Sequence, residues 1–83
     1  MLPTLILYRS DFCPLCDEAM ELCYRLKLSS RFRVIKKDIT NDKSLMVKYA
    51  HRIPVLEAGA SELAWPFDQL ELAQWVSQLQ LDG

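Results

Sequence analysis

Residues 4–16 read TLILYRSDFCPLC and combine a short apolar run with two cysteines that lie three positions apart. The run from Thr4 to Tyr8 is followed by polar, turn-like residues and predicts a buried strand. A helix is expected to begin near Cys13. Pro14 suits the first helical position, where no amide hydrogen is needed and φ is already helical. The segment therefore predicts a strand, a short loop and a helix that holds both cysteines in its first turn.

The residues after the cysteines continue this helix with one apolar face. Three acidic side chains, Asp17, Glu18 and Glu21, lie toward its N-terminal end, where the helix dipole favours acids. Apolar side chains recur at the spacing of one helical face, at Leu15, Ala19, Leu22, Cys23 and Leu26.

Three further strands are predicted. One covers residues 32–35, with Val34 and Ile35 as its buried centre. Another begins at residues 53–56, since a proline is tolerated at the first position of a strand. After a glycine-containing turn, residues 62–64 form the last strand, which makes a hairpin with the one before it.

Two more helices complete the chain. Asn41 is predicted to cap a short helix that extends to Tyr49, with Leu45 and Met46 facing inward. Asp68 is predicted to cap the last helix, whose start also contains a capping-box glutamate and an apolar contact across the cap. The capping-box glutamate is Glu71, and the apolar contact joins Phe67 to Leu72. The core face of this helix is predicted to contain Leu72, Trp75 or Val76, and Leu79.

The predicted element order is β-α-β-α-β-β-α. The first two strands flank a helix and should be parallel, with a right-handed crossover, whereas the closing hairpin is antiparallel. The prediction is a single α/β domain over residues 1–83, with a mixed four-stranded sheet and helices on both faces.

Composition excludes several classes of protein. The chain has 83 residues, of which 51% are hydrophobic, and a formal net charge of −1, which argues against disorder and against a nucleic-acid binder. Its two glycines are too few for a phosphate-binding loop, and its apolar runs are too short to cross a membrane. The N-terminus has no basic region typical of a signal peptide, so we expect a cytoplasmic protein with reduced thiols.

Charge is unevenly distributed along the chain. Residues 31–56 contain 7 basic and 2 acidic side chains, whereas residues 57–83 contain 5 acidic side chains and no basic ones. Two interpretations stay open at this point. The charges are either ordinary solvated side chains that attract weakly, or a basic rim beside a site for an acidic substrate.

The Cys13-Pro14-Leu15-Cys16 motif is the strongest functional signal. Two cysteines with this spacing, at the start of a helix that follows a strand, are typical of redox sites. At the helix cap, the sulfur of Cys13 can accept hydrogen bonds from free amides and lies at the positive end of the helix dipole, and both effects favour the nucleophilic thiolate. Cys16 lies one turn inside the helix, where it should be more buried and able to resolve a mixed disulfide.

Neighbouring charges act on the same thiolate in opposite directions. Asp11, Asp17 and Glu18 surround the motif and act to raise the pKa of its cysteine, whereas Arg9 offsets part of that effect.

Two other interpretations of the cysteine pair stay open: ordinary buried thiols, and half of a metal site. Zinc would need four ligands, and the chain adds only Cys23 and His51, with no second pair at ligand spacing. Cys23 is interpreted as a small buried residue of the core. His51 is either an acid/base group near the site or a solvated loop residue.

The first strand, the Cys13–Cys16 motif and the segment Ile53-Pro54-Val55 together resemble the glutaredoxin branch of the thioredoxin superfamily. The segment Trp65-Pro66-Phe67-Asp68 is similar to a pattern in small bacterial glutaredoxin-like proteins. The resemblance covers nearly the whole chain. It implies a thioredoxin-like fold and a thiol–disulfide oxidoreductase in which Cys13 is the nucleophile and Cys16 the resolving thiol.

The resemblance also implies a cis peptide bond at Pro54. Such a bond would place the backbone of Ile53 beside Cys13, where its amide and carbonyl can pair with an incoming peptide or with glutathione. No bound cofactor is implied beyond the redox-active disulfide, and glutathione or a reductase serves as electron donor. The expected partner is a disulfide-containing protein or a glutathione mixed disulfide, and the expected state is a monomer. The residues predicted to contact substrate are Arg9, Pro14, Arg52, Ile53, Pro54, Phe67 and Asp68.

Two positions differ from the usual glutaredoxin pattern, and both weaken the case for glutathione. Ser10 occupies the place of a lysine three residues before the first cysteine, with Arg9 one residue further back. A Gly-Gly pair usually precedes the last helix, but this chain has Trp65-Pro66-Phe67 there, although Asp68 can still meet an amine.

Two functions of other classes are therefore considered beside the enzyme. The first is a non-catalytic binding module or adaptor, in which Trp65 and Phe67 form an exposed apolar patch for a partner. The second is an iron–sulfur or zinc carrier. Arg52 is either a ligand for a substrate carboxylate or a solvated charge.

Overall fold

The local sequence signals produce the predicted element order, β-α-β-α-β-β-α. The computed structural model describes residues 1–79, so the last four residues of the domain predicted over residues 1–83 lie outside the described part. The strands are β1 (Thr4–Arg9), β2 (Arg33–Asp38), β3 (Val55–Ala58) and β4 (Ser61–Ala64). The helices are α1 (Pro14–Arg25), α2 (Lys43–Tyr49) and α3 (Gln69–Gln78), and an unpredicted 3₁₀ turn, Leu28–Ser30, follows α1.

The four strands form one mixed sheet in the order β2-β1-β3-β4. β1 and β2 are parallel, whereas β1 pairs antiparallel with β3. β3 and β4 form an antiparallel hairpin that turns at Gly59, where φ is 61° and glycine carries no Cβ penalty. The predicted α/β class, the parallel first pair and the antiparallel hairpin are confirmed.

Successive residues of the strands contribute to two separate cores, because side chains alternate across a sheet. The face that packs against α1 and α3, here called the α1/α3 face, buries Leu5, Leu7 and Leu56 together with residues of both helices. The opposite face packs against α2 and is called the α2 face. It buries Tyr8 and Val55 against Tyr49 and Ile39.

The second strand differs from its prediction in length and burial. It extends to Asp38 instead of ending at residue 35, and Val34 and Ile35 are only partly buried. The strand is longer because its parallel pairing with β1 continues to Arg9 and Asp38. Its centre is only partly buried because β2 lies at the edge of the sheet, where charged residues are tolerated.

Three details of the predicted helices are wrong. Asp42 caps α2 in place of Asn41, and its carboxylate accepts a hydrogen bond from the Leu45 amide at 3.1 Å. With the helix starting one residue later, Met46 is 39% exposed, and Tyr49 makes the buried contact. In α1, Leu15 is 44% exposed, although it was placed on the apolar face of the helix.

One end of the sheet, here called the cysteine end, brings four chain segments together. Tyr8 near the end of β1 pairs with Val55 at the start of β3, and Val55 pairs with Ala64 at the end of β4. The loop after β1, the segment before β3 and the segment after β4 therefore lie at the same end, beside the loop after β2. None of the helices within residues 1–79 has the length and hydrophobicity needed to cross a bilayer.

Candidate functional site

The two motif cysteines form a disulfide at the N-terminus of α1. Cys13 is the N-cap residue, with extended backbone, and Pro14 occupies the first turn, as predicted. The Cα atoms of Cys13 and Cys16 are 5.2 Å apart, which lies in the range for bridged cysteines. The loop that follows β1 therefore places the disulfide at the cysteine end of the sheet.

The two sulfur-bearing residues have different environments. Cys13 is partly exposed, and its Sγ accepts a hydrogen bond from the Cys16 amide at 3.1 Å. Cys16 is 1% exposed. One sulfur thus meets solvent at a helix N-terminus, while the other is enclosed by the core, as the motif predicted.

Cys23 is a core residue, which confirms its interpretation from the sequence. It is 3% exposed on the α1/α3 face, and burial raises the pKa of its thiol to about 11. Within residues 1–79, the structure brings together no group of three histidine, cysteine or acidic side chains that could hold a metal ion.

Pro54 lies beside the disulfide loop in the fold, because it precedes Val55, the partner of Tyr8. The Ile53–Pro54 bond is cis, which confirms what the resemblance implied. The Pro54 carbonyl accepts a hydrogen bond from the Trp65 amide at 3.0 Å. The Trp65–Pro66 bond is also cis. It was not predicted, because no feature of the sequence distinguishes it from an ordinary trans proline bond.

The Ile53 amide, which the resemblance implied would pair with an incoming substrate, is hydrogen-bonded within the chain instead. It donates to the Tyr49 carbonyl at 3.0 Å, and the Arg52 amide donates to the same carbonyl at 2.8 Å. The end of α2 continues as a tight turn that uses these amides, so only the Ile53 carbonyl is left of the backbone pair predicted to bind substrate.

Side chains of the α2 face hold this turn in place. The Tyr49 hydroxyl donates to Glu62 Oε2 at 2.6 Å, and Arg52 Nη2 donates to Glu62 Oε1 at 2.9 Å. The hydrogen bond from Tyr49, followed by the one from Arg52, lowers the pKa of the Glu62 carboxyl. Burial and then the bond to Glu62 raise the pKa of Tyr49 to about 12.

The two arginines predicted to contact substrate are both engaged within the chain. Arg52 pairs with Glu62 and lies 5.5 Å from the centre of the Tyr49 ring. Arg9 lies 3.6 Å from Asp11, measured from Nη1 to Oδ1. Their roles toward a substrate stay predictions.

Phe67 is 4% exposed and belongs to the core of the α1/α3 face, so the expected apolar patch does not include it. It packs edge-on against Trp65, with ring centres 5.0 Å apart, and Trp65 is itself partly buried. Asp68 is exposed and caps α3: its carboxylate accepts from the Glu71 amide at 2.8 Å, and the predicted capping box is present. His51 is exposed.

Phe12 is a residue of the site that the sequence reasoning missed. Its φ is 57°, in the left-handed region, and its side chain is 101% exposed. Phenylalanine does not favour this conformation, so the residue type at position 12 did not predict a left-handed backbone there. A signal did exist in the shortness of the connection from Arg9 to Cys13, which must turn sharply from a strand into a helix.

Comparison with known proteins relates the chain to redox-type folds. The model of the Glutaredoxin-like domain (DUF836) family matches residues 4–77. The X-ray structure of protein XcR50 from X. campestris is 33% identical, with a TM-score of 0.82, and the match covers 93% of this chain and 100% of that chain.

Two more distant structures share the fold. Protein Ne2328 from Nitrosomonas europaea is 26% identical, with a TM-score of 0.72, over 90% of this chain and 92% of that chain. The germline-specific thioredoxin Deadhead from Drosophila melanogaster is 22% identical, with a TM-score of 0.62, over 95% of this chain and 82% of that chain, and shows the fold alone. Among curated proteins, none matches the chain.

Proposed function

The chain belongs to the Glutaredoxin-like domain (DUF836) family, and from that membership and its cysteine pair we propose that it is a thiol–disulfide oxidoreductase. The observation that carries the proposal is the Cys13–Cys16 disulfide at the N-terminus of α1, with one sulfur at the surface and one in the core. A pair in this position can be opened from solvent at Cys13 and closed again from inside by Cys16.

In the reduced protein, Cys13 is the attacking thiol. Its sulfur can keep the hydrogen bond from the Cys16 amide and lies at the positive end of the α1 dipole, and both stabilise the thiolate. The thiolate attacks one sulfur of a substrate disulfide. A bond forms between that sulfur and Cys13, the substrate S–S bond breaks, and the second substrate sulfur leaves as a thiolate.

Cys16 completes the reaction. After losing its proton, it attacks the Cys13 sulfur, forms the intramolecular disulfide and releases the remaining substrate thiolate. The substrate gains two electrons and the cysteine pair loses two. A dithiol reductase, or two molecules of glutathione, then returns the pair to the reduced form. A reducing compartment such as the cytoplasm can supply this donor.

Trapping of the mixed disulfide tests this mechanism. Cys16→Ser removes the resolving thiol, so we expect a mixed disulfide to accumulate on Cys13 when the variant is mixed with a disulfide substrate, as measured by mass spectrometry of the intact protein. Cys23→Ser is the matched control, because Cys23 is buried in the core and should leave the reaction unchanged. Absence of any adduct on Cys13 would contradict the mechanism.

The pKa of Cys13 separates the enzyme from a non-catalytic binding module. We expect the rate of alkylation of Cys13 in the Cys16→Ser variant to report a pKa clearly below that of free cysteine, about 8.5. A value at or above that of free cysteine would favour the binding module. Cys23 should react only after unfolding, since burial raises its pKa and excludes the reagent.

A further inference from the structure

Phe12 combines an unfavourable backbone conformation with full exposure. Its φ of 57° lies where a bulky side chain is rare and where L-residues with a Cβ are disfavoured. Its ring is 101% exposed, so burial within this chain does not offset that cost. Glycine or asparagine would make the same turn more easily. Backbone geometry alone therefore does not account for an aromatic residue next to Cys13, and strained residues of this kind cluster at functional sites.

Exposed apolar side chains continue on the other side of Cys13. Pro14 is exposed and Leu15 is 44% exposed. We call Phe12, Pro14 and Leu15 the apolar collar. Large apolar groups that stay in water around a reactive sulfur are explained by contact with a partner during the reaction.

The surroundings of the collar are acidic. Asp11 precedes it, Asp17 and Glu18 follow it in α1, and all three are exposed. A groove of about 440 Å³ lies between α1 and the start of α3, and it adds further acidic residues to this border. The groove is lined by Glu18, Glu21, Leu22, Arg25, Trp65, Asp68 and Gln69.

Two cations near this border are paired with carboxylates, whereas Lys36 lies in a neighbouring groove with Cys16, Asp17 and Glu21. Arg9 lies 3.6 Å from Asp11, and Arg25 lies 3.5 Å from Glu21. Glutathione has two carboxylates and one ammonium group, so it carries a net negative charge that this surface repels. A partner with positive charge near its cysteine complements the same surface.

Resting on the proposed function, we propose that Cys13 exchanges with the disulfide of a protein segment in which apolar and basic side chains flank the cysteine, in preference to glutathione. The apolar side chain of the segment contacts the collar, and its basic side chains face the acidic border. The chemistry is the exchange described above: a bond forms between Cys13 and the segment's sulfur, and the sulfur's former partner leaves as a thiolate.

Activated peptides test the proposal with a visible readout. The basic probe has phenylalanine and lysine on both sides of one cysteine, and matched probes replace either the lysines by glutamates or the phenylalanines by alanines. Each probe, and glutathione, is converted to its mixed disulfide with thionitrobenzoate, whose release is coloured. Rates with the Cys16→Ser variant are divided by rates with mercaptoethanol, which corrects for the intrinsic reactivity of each disulfide.

We expect the basic probe to react about tenfold faster than the acidic probe at low salt, with glutathione near the acidic probe. The ratio should fall as the Debye length shortens from about 10 Å at 0.1 M salt to about 3 Å at 1 M. Phe12→Ala should slow the phenylalanine probe about fivefold, the loss of one aromatic contact, and leave the alanine probe unchanged.

A charge reversal tests whether the preference for the basic probe comes from the acidic side chains around the collar. Glu18→Lys should lower the ratio of basic to acidic probe, and this ratio cancels any change in the pKa of Cys13. The control combines Ser29→Lys with Ala60→Lys, which changes net charge by the same amount at exposed positions of the opposite end of the molecule. The control should keep the ratio.

The outcomes separate the two proposals. Equal corrected rates for glutathione and all peptides, or equal effects of Glu18→Lys and its control, would overturn the preference and leave the oxidoreductase in place. Reaction no faster than mercaptoethanol with every probe would overturn both.

Discussion

The two faces of the sheet are stabilised by different interactions, although neighbouring residues of the same strands supply both. The α1/α3 face buries apolar side chains such as Leu5, Leu56 and Leu72. The α2 face instead stacks Tyr8 on Tyr49, with ring centres 4.2 Å apart. The hydroxyls of these tyrosines donate to Glu57 at 2.8 Å and Glu62 at 2.6 Å, respectively. One face depends on apolar area, and the other on hydrogen-bond geometry and charge.

This difference matters for the site, because each face supports a different part of it. The α1/α3 face holds α1, whose first turn contains the buried Cys16, against the sheet through Ala19 and Cys23. The α2 face fixes the turn before Pro54 through the Tyr49 carbonyl. The apolar packing that holds α1 and the disulfide should therefore be insensitive to pH. The turn before Pro54 is instead held by hydrogen bonds to Glu62, which depend on the charge of its carboxylate.

The largest expected effect compares adjacent residues of β3. Leu56 and Val55 are both 0% exposed but point to opposite faces. Leu56→Ala should lower the free energy of unfolding by about 3 kcal/mol, and Val55→Ala by about 2 kcal/mol, because fewer methyl groups are lost. Urea unfolding followed by circular dichroism measures both. A larger loss at Val55 would contradict the assignment of the main core to the α1/α3 face.

The next effect isolates charge on the α2 face. Glu62→Gln keeps an oxygen for the Tyr49 hydroxyl but removes the charge that faces Arg52 and Lys48. We expect a loss of about 1 to 2 kcal/mol at pH 7, in the range of a hydrogen bond to a charged group. Urea unfolding measures it, with the exposed Glu18→Gln as a control that should change stability little.

The same variant should alter the response to acid. The pKa of Glu62 is lower in the folded protein than its ordinary value of 4.5, so its contribution is complete above about that pH and is lost as the pH falls through the folded pKa. Asp38 and Asp42, whose pKa values are lowered by hydrogen bonds from Thr40 and Leu45, act in the same direction. The difference between wild type and Glu62→Gln should therefore shrink as the pH falls below about 4.5 and Glu62 takes up a proton. A difference that stays constant as the pH falls would contradict the role of the charge.

Sequence patterns predicted the parts of this molecule that depend on local chemistry. Pro14 at the helix start, the capping box at Asp68 and the buried run of β1 each follow from interactions within a few residues. The motif spacing also predicted which sulfur is exposed, because one helical turn separates Cys13 from Cys16.

The rest depended on tertiary position, which short patterns do not contain. Ile35 is only partly buried because β2 is an edge strand, and Phe67 is buried because the fold brings it into the core of the α1/α3 face. Arg52 meets Glu62 only through the fold, since ten residues separate them in the chain. The left-handed Phe12 follows from how β1 must connect to α1.

The third effect concerns the loop at the cysteine end, which belongs to neither face. Phe12→Gly should be more stable than Phe12→Ala by about 1 kcal/mol, because only the alanine variant keeps a Cβ at a φ of 57°. Both variants remove the exposed ring, so their difference isolates the backbone. Urea unfolding of the pair measures it. Equal stabilities would show that the turn relaxes and that Phe12 carries no backbone cost.

The smallest effect is a polar contact on the apolar face. Trp75 Nε1 donates to Ser61 Oγ at 2.9 Å, and both residues are partly buried, so water can replace part of the bond. Ser61→Ala should cost about 0.5 to 1 kcal/mol. Neither group titrates, so urea unfolding should give the same loss at pH 3 and pH 7, unlike Glu62→Gln. A loss that depends on pH would mean that the charges of the α2 face act through β4 on its opposite side, and that the two faces do not stabilise the protein independently.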